Sequence, residues 1–180
     1  MRRQHGSAVP DRVTFAVELL DPRPGQRLLE IGCGPGVAAA LVCDRIAPTG
    51  HLLAVDRSAA AVTRTMRRNA AHLAAGRLTV LNSGLADLDD HHLPPGGLDA
   101  AIAVDVNLFW TRRRPAELAL LAGALRAGGR LHVCYGDGPT DPGRVTGAVA
   151  AALADAGFRG VAVTDGPGGT AVSGTAPPAA

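Results

Sequence analysis

The feature that most constrains this chain is a recurrence of short, almost wholly apolar runs separated by longer stretches with helical spacing. RLLEI (27–31), HLLAVD (51–56), LTVLN (78–82), LDAAIAV (98–104) and RLHVCY (130–135) have strand length and little polar alternation. Runs of that kind belong to strands buried on both faces, which a parallel sheet covered by helices provides. DRVTFAVELL (11–20) reads as an entry helix, and residues 37–46 as a second. Ser58 can cap a third, with Val62, Met66 and Leu73 on one face. From Pro115, Leu118, Leu121, Ala122 and Leu125 recur at amphipathic spacing until AGG (127–129) stops the helix. Val145, Val149, Ala152 and Ala156 share a last helix face, and Gly157 suits its C′ position. VAVT (161–164) and TAVSG (170–174) read as two closing strands joined by a glycine-rich turn.

A chain of 180 residues fits one domain over 1–180, with 1–10 and 175–180 expected to be flexible. Hydrophobic residues make up 47% but aromatics only 3%, so alanine, leucine and valine must fill the core. The basic residues are 18 arginines spread along the chain, and the net charge is +2. So small a charge gives little non-specific grip on nucleic acid. Cys33, Cys43 and Cys134 form no spaced framework, which points to reduced thiols and a cytoplasmic location. No apolar stretch follows the basic start, and no segment approaches the roughly 20 apolar residues of a membrane span, so no membrane role is expected.

The chemistry concentrates in Leu28-Leu29-Glu30-Ile31-Gly32-Cys33-Gly34-Pro35-Gly36, a strand that runs into a glycine turn and opens a helix. Gly32 and Gly34 let the backbone approach a ligand where a Cβ would clash. The helix N-terminus offers N–H groups and partial positive charge to a carboxylate or phosphate. Dinucleotide sites use G-x-G-x-x-G, but the position of its third glycine is Val37 here. A carboxylate at Glu30 would repel a pyrophosphate, whereas it suits a ligand carrying ammonium and sulfonium groups. The methyl donor S-adenosyl-L-methionine is therefore the better match than a dinucleotide. Asp56 ends the second run, 20 residues after Gly36, where a carboxylate can accept from ribose hydroxyls.

LLEIGCGPG, then AVD, then LDAAIAV, then LRAGGRLHV resembles the ordered motifs of class I S-adenosylmethionine-dependent methyltransferases over roughly residues 11–174. The resemblance implies a Rossmann-like, doubly wound α/β sheet of about seven strands, mostly parallel with the last antiparallel, and helices on both faces. It implies that Glu30, Gly32, Cys33, Gly34 and Gly36 surround the methionine part of the cofactor. Asp56 would bind the ribose, Arg57 would lie beside the adenine, and Val104 would line the site from the fourth strand. Gly84-Leu85-Ala86 falls where the family often has G-D-A, with Leu85 in place of the aspartate. Backbone groups or Asp87 would then have to take over that contact.

Asp105-Val106-Asn107-Leu108-Phe109-Trp110 follows the fourth run, where ligands of open α/β sheets bind. Asp105 is the candidate for positioning the acceptor in catalysis, and Asn107, Phe109 and Trp110 are candidates for contacting it. Phe109 and Trp110 serve equally well as core anchors. Asp87, Asp89, Asp90, His91 and His92 share one loop but lack metal-ligand spacing, and a solvated loop is expected. Arg112-Arg113-Arg114 reads as a solvated turn, and His132 as a half-buried structural histidine. The expected reaction is methyl transfer to a small-molecule acceptor. An RNA or protein methyltransferase and a non-catalytic S-adenosylmethionine-binding domain are the alternatives. The N-terminal arm and loops 84–97, 105–115 and 136–143 would form any lid, unless a homodimer closes the site.

Overall fold

The computed structural model describes residues 9–89, 91–93, 97–111, 115–136 and 142–178, without the side chains of Trp110, Thr111 and Pro142. The first five strands of the chain are parallel. β1 (Arg27–Ile31) lies between β2 (His51–Asp56) and β4 (Leu98–Val104). β3 (Leu78–Asn82) extends the sheet beyond β2, and β5 (Leu125–Gly136) extends it beyond β4. The chain then returns as a hairpin. β7 (Gly169–Thr175) runs antiparallel to β5, and β6 (Arg159–Gly166) pairs outside it. The order is β3-β2-β1-β4-β5-β7-β6, a seven-stranded sheet. The strand order reverses between the parallel neighbours β1 and β4, so a crevice opens beyond their carboxyl ends.

The strands of the sheet's centre send alternate side chains into one of two cores. Leu29, Ile31, Leu53, Val55, Ala101 and Leu131 meet Leu118 and Leu121 of α6 (Pro115–Ala124) and Val149 and Leu153 of α7 (Pro142–Asp155). Leu28, Leu52, Ala54 and Ile102 meet Val17 of α1 (Asp11–Leu20) and Val42 and Ile46 of α2 (Val37–Ile46). This two-sided burial is what the continuous apolar runs encode. As expected, Ser58 caps α3 (Ala59–Arg68), its Oγ accepting from the Ala61 N–H. Gly157 ends α7 with φ +85°, while Phe158 N–H bonds back to Leu153.

Several boundaries differ from expectation. α3 does not continue to Leu73: it breaks at Asn69, and a short α4 (Ala70–Ala74) follows. Met66 is 44% exposed, and the buried face consists of Ala61, Val62, Thr65 and Asn69. β5 begins at Leu125, which pairs with Leu98 across a bulge, so the AGG turn interrupts pairing inside the strand. At the ends, Pro10 already caps α1 and β7 reaches Thr175. Residues 1–8, 179–180 and Arg112–Arg114 lie outside the described set, and with them most of the flexible-end expectation and the triple-arginine turn.

Candidate functional site

Strand β1 ends in a turn whose backbone enters the left-handed region, which favours glycine, at three points. Gly32, Gly34 and Gly36 have φ of +75°, +53° and +74°. Each serves a different need. A Cβ on Gly32 would lie 2.5 Å from Val106 Cγ2, so this glycine lets the β4 exit loop close over β1. A Cβ on Gly36 would lie 2.8 Å from Thr65 Cα and 2.6 Å from Asn69 Nδ2, so this one lets α3 pack against the turn. Only Gly34 has nothing within 4 Å of its missing Cβ, leaving its open side for a ligand. Gly36 is accordingly absent from the cleft wall and acts through packing.

The polar groups of the turn are held mostly by the protein itself. Gly32 N–H and Cys33 N–H both donate to Val55 O, at 2.8 and 3.1 Å. Gly34 N–H donates to Asp56 Oδ2 at 2.9 Å, and Ser58 N–H to Asp56 Oδ1 at 2.8 Å. From behind, Thr65 Oγ1 donates to Gly34 O and Asn69 Nδ2 to Gly36 O, each at 3.0 Å. Both side chains are at most 1% exposed. The sequence reading missed Thr65 and Asn69. Their signal, polar residues on the inner face of an amphipathic helix, becomes legible only once the turn's carbonyls are seen to face them.

A cleft of about 860 Å3 opens beyond the strand ends. Glu30, Gly32, Cys33, Gly34, Asp56, Arg57, Gly84, Leu85, Ala86, Val104, Asp105 and Asn107 all line it, joining the motifs of β1, β2, β3 and β4. Val37 and Ala38 bring the first turn of α2 to it. Pro10 at the cap of α1, Arg12 and Val13 of α1, and Glu117 of α6 line it as well, and the sequence reading missed them. Phe109 is placed otherwise: it is 3% exposed within the core against α6 and the sheet, so it anchors the short α5 (Leu108–Thr111) instead of facing the cleft. The Trp110 side chain lies outside the described residues.

Electrostatics single out Glu30. Burial, and then the negative charge of Asp56, push its carboxyl up to about 8. Its Oε2 is buried without a hydrogen-bond partner. Cys33 is pushed up to about 11, chiefly by burial, so its thiol is inert and serves as a small filler beneath the turn. Asp105 takes φ +55°, a conformation that costs a residue with a side chain about 1–3 kcal/mol. In return its two oxygens accept from Arg12 Nε at 2.7 Å and Gly136 N–H at 2.8 Å. Leu85 is buried against the core, while the Asp87 carboxylate turns back to Gly84 N–H at 3.3 Å. In the polar loop, Asp89 Oδ1 meets His92 Nδ1 at 2.7 Å, and Asp90 lies outside the described residues. His132 is 1% exposed rather than half-buried, with Nδ1 2.8 Å from Ser173 Oγ.

A strand–glycine turn–helix, an acid at the end of the next strand and a sheet ordered 3-2-1-4-5-7-6 define a class I S-adenosylmethionine-dependent methyltransferase domain. The site fits that cofactor. An orphaned buried carboxyl and a glycine open on its ligand side suit a cation with an amino-acid end. Residues 28–129 match the family described as a methyltransferase domain, and the chain belongs to that family. Nocamycin O-methyltransferase of Saccharothrix syringae is 33% identical over 127 residues, 70% of this chain and 42% of that protein. A protein in transposon TN4556 of Streptomyces fradiae is 30% identical over 141 residues, 69% of this chain and 39% of that protein. The chain therefore spans about two fifths of these relatives. In three dimensions it resembles a SAM-dependent methyltransferase from Aquifex aeolicus, with TM-score 0.75 and 18% identity, covering 92% of this chain and 90% of that one. No described helix is long and apolar enough to cross a membrane.

Proposed function

We propose that this domain transfers the methyl group of S-adenosylmethionine to a nucleophilic atom of a small molecule in the cytoplasm. The observation that carries the reading is a cleft lined both by Gly34, with open space where its Cβ would be, and by Glu30, whose buried Oε2 has no partner among the described residues. Glu30 and the first turn of α2 would hold the cofactor's amino-acid end. Asp56 would take the ribose; each of its oxygens already accepts one N–H, and a carboxylate oxygen has room for a second donor. Arg57, Gly84, Leu85 and Ala86 would border the adenine. The bound cofactor supplies an already activated methyl group on a sulfonium. The protein's share is then alignment, which contributes on the order of 7–11 kcal/mol in well-oriented systems.

The likeness to nocamycin O-methyltransferase supports a small acceptor, and the three buried thiols support a reducing compartment. Asp105 was the expected acceptor-positioning acid. Its oxygens accept from Arg12 and Gly136, so beyond any direct contact with the acceptor it holds Arg12 at the cleft. Val104 and Asn107 would border the acceptor's approach.

Calorimetric titration with S-adenosylmethionine and S-adenosylhomocysteine, followed by a tritiated-methyl transfer assay over a metabolite panel, tests this. Asp56→Ala should weaken uptake of both ligands about ten-fold or more, because it loosens the turn and removes the ribose acceptor. Unchanged affinity would overturn the assignment. Binding without transfer to any acceptor would favour a non-catalytic binding domain. Light scattering would show whether a homodimer closes the site, as a doubled mass.

A further inference from the structure

The cleft has two unlike halves. The glycine turn follows β1, Asp56 follows β2 and Gly84 follows β3, so the cofactor elements occupy the β1-β2-β3 side of the sheet. Beyond β4 and β5 lie Asp105, Asn107, Glu117 and the start of α1. Among the described cleft residues, Arg12 and Arg57 are the cations. Arg57 sits on the cofactor side, with Cδ 3.5 Å from where a Cβ of Gly84 would be. Arg12 is the described cation on the acceptor side.

The fold holds Arg12 from three directions. Its Nε donates to Asp105 Oδ2 at 2.7 Å. Asp105 is itself fixed by Gly136 N–H, by its own N–H to Cys134 O at 2.9 Å, and by its left-handed backbone. A Cβ on Gly136 would lie 2.4 Å from Arg12 Cδ, and one on Gly168 would lie 2.9 Å from Arg12 N. One glycine and an unusual aspartate conformation thus converge on this side chain, while a second glycine makes room for its backbone. An ion pair whose members are each 44% exposed adds little to stability, so stability does not explain the arrangement. The pair uses the Nε edge of the guanidinium. Among the described residues no partner takes the edge carrying the two terminal nitrogens, whose parallel donors have the spacing a carboxylate accepts.

We propose that Arg12, oriented by Asp105, reads a carboxylate on the acceptor, so that the substrates of this domain are small carboxylic acids bearing the nucleophile to be methylated. This rests on the methyl-transfer reading and narrows it. A monoanion suits the site better than a dianion. Asp56, Asp87, Asp105 and Glu117 also line the cleft, and each added negative charge on a ligand meets them.

The test uses the full chain saturated with S-adenosylhomocysteine. The probes are 4-hydroxybenzoate, 4-hydroxyphenylacetate and 3-(4-hydroxyphenyl)propionate, each beside its neutral amide. At least one acid should bind about ten-fold or more tightly than its amide. Arg12→Gln should erase that preference while S-adenosylhomocysteine affinity stays within about two-fold, and Arg12→Lys should restore part of it. Asp105→Asn should reduce the preference without touching nucleoside affinity, which a purely structural role would not achieve. The proposal is overturned if no acid outbinds its amide, or if the preference survives Arg12→Gln. It is also overturned if Arg12→Gln weakens S-adenosylhomocysteine as much as the acid, since the guanidinium would then serve the cofactor. A wild-type chain that ignored S-adenosylhomocysteine at millimolar concentration would instead defeat the methyltransferase reading.

Discussion

Glu30 places an acid where burial and Asp56 both oppose its ionisation, and its pKa of about 8 ties cofactor uptake to a proton. At pH 7 the ligand-free carboxyl is neutral. A cation bound beside it favours the ionised form, so binding should release a proton below pH 8 and tighten as pH rises toward 8. Calorimetry in two buffers of different ionisation heat reads that proton directly, and Glu30→Gln should abolish it while weakening binding. Equal heats in both buffers at pH 7 would contradict this account. The same group carries a stability consequence. Its folded pKa is raised above the ordinary 4.5, so the stability associated with its neutral form is lost as pH climbs through about 8. Glu30→Gln should raise the melting temperature of the ligand-free chain at pH 8.5 and change it little at pH 5. Glu30 was legible in the sequence as an acid beside a glycine turn. Its burial and its missing partner were not, because they depend on β2 and β4 flanking it.

At the scale of elements, the glycine turn is shaped by α3 as much as by its own glycines. Thr65 and Asn69 satisfy two carbonyls that packing removes from water. Asn69→Ala should therefore cost about 1–3 kcal/mol in urea unfolding, the usual penalty for an orphaned buried acceptor, and should weaken cofactor affinity in parallel. A neutral result would mean that the turn holds its shape unaided. The entry helix depends on the hairpin in a similar way. A Cβ on Gly166 would lie 2.2 Å from Phe15, so Gly166→Val should shift α1 and lower the unfolding midpoint. The helices on the β4–β5 side were legible from their apolar spacing. The break of α3 at Asn69 was not, since Met66 and Leu73 continue the apolar period that the polar contact with the turn overrides.

For the whole molecule, two buried titratable groups bound the pH range of the ligand-free fold from opposite sides. His132 is pushed down to about 4, chiefly by burial, and is neutral in the folded state. A depressed folded pKa means that its stability is fully present above about 6.5 and is lost as pH falls toward 4, by roughly 3 kcal/mol. Glu30 erodes stability as pH rises from 4.5 toward 8. The two effects cancel between about pH 4.5 and 6.5, so the ligand-free domain should melt highest across that range, and saturating S-adenosylmethionine should extend the optimum upward by stabilising the ionised Glu30. Melting curves from pH 4 to 9, with and without ligand, check both halves, and an optimum that ignores ligand would refute the coupling.

The amino-acid order alone determined the alternation of strands and helices, the glycine turn, the acid after β2 and hence the family. These are local signals: apolar period, turn chemistry and short spacing survive in one dimension. Only the tertiary structure decided which residues share the cleft and what each is free to do there. It brought Arg12 from α1 across 93 positions to Asp105, and it turned Phe109 into the core. It also left Glu30 without a partner and assigned Gly36 to packing instead of ligand contact. Side-chain partners, burial and charge balance depend on elements distant in the chain meeting at one sheet edge, and no local pattern encodes that meeting.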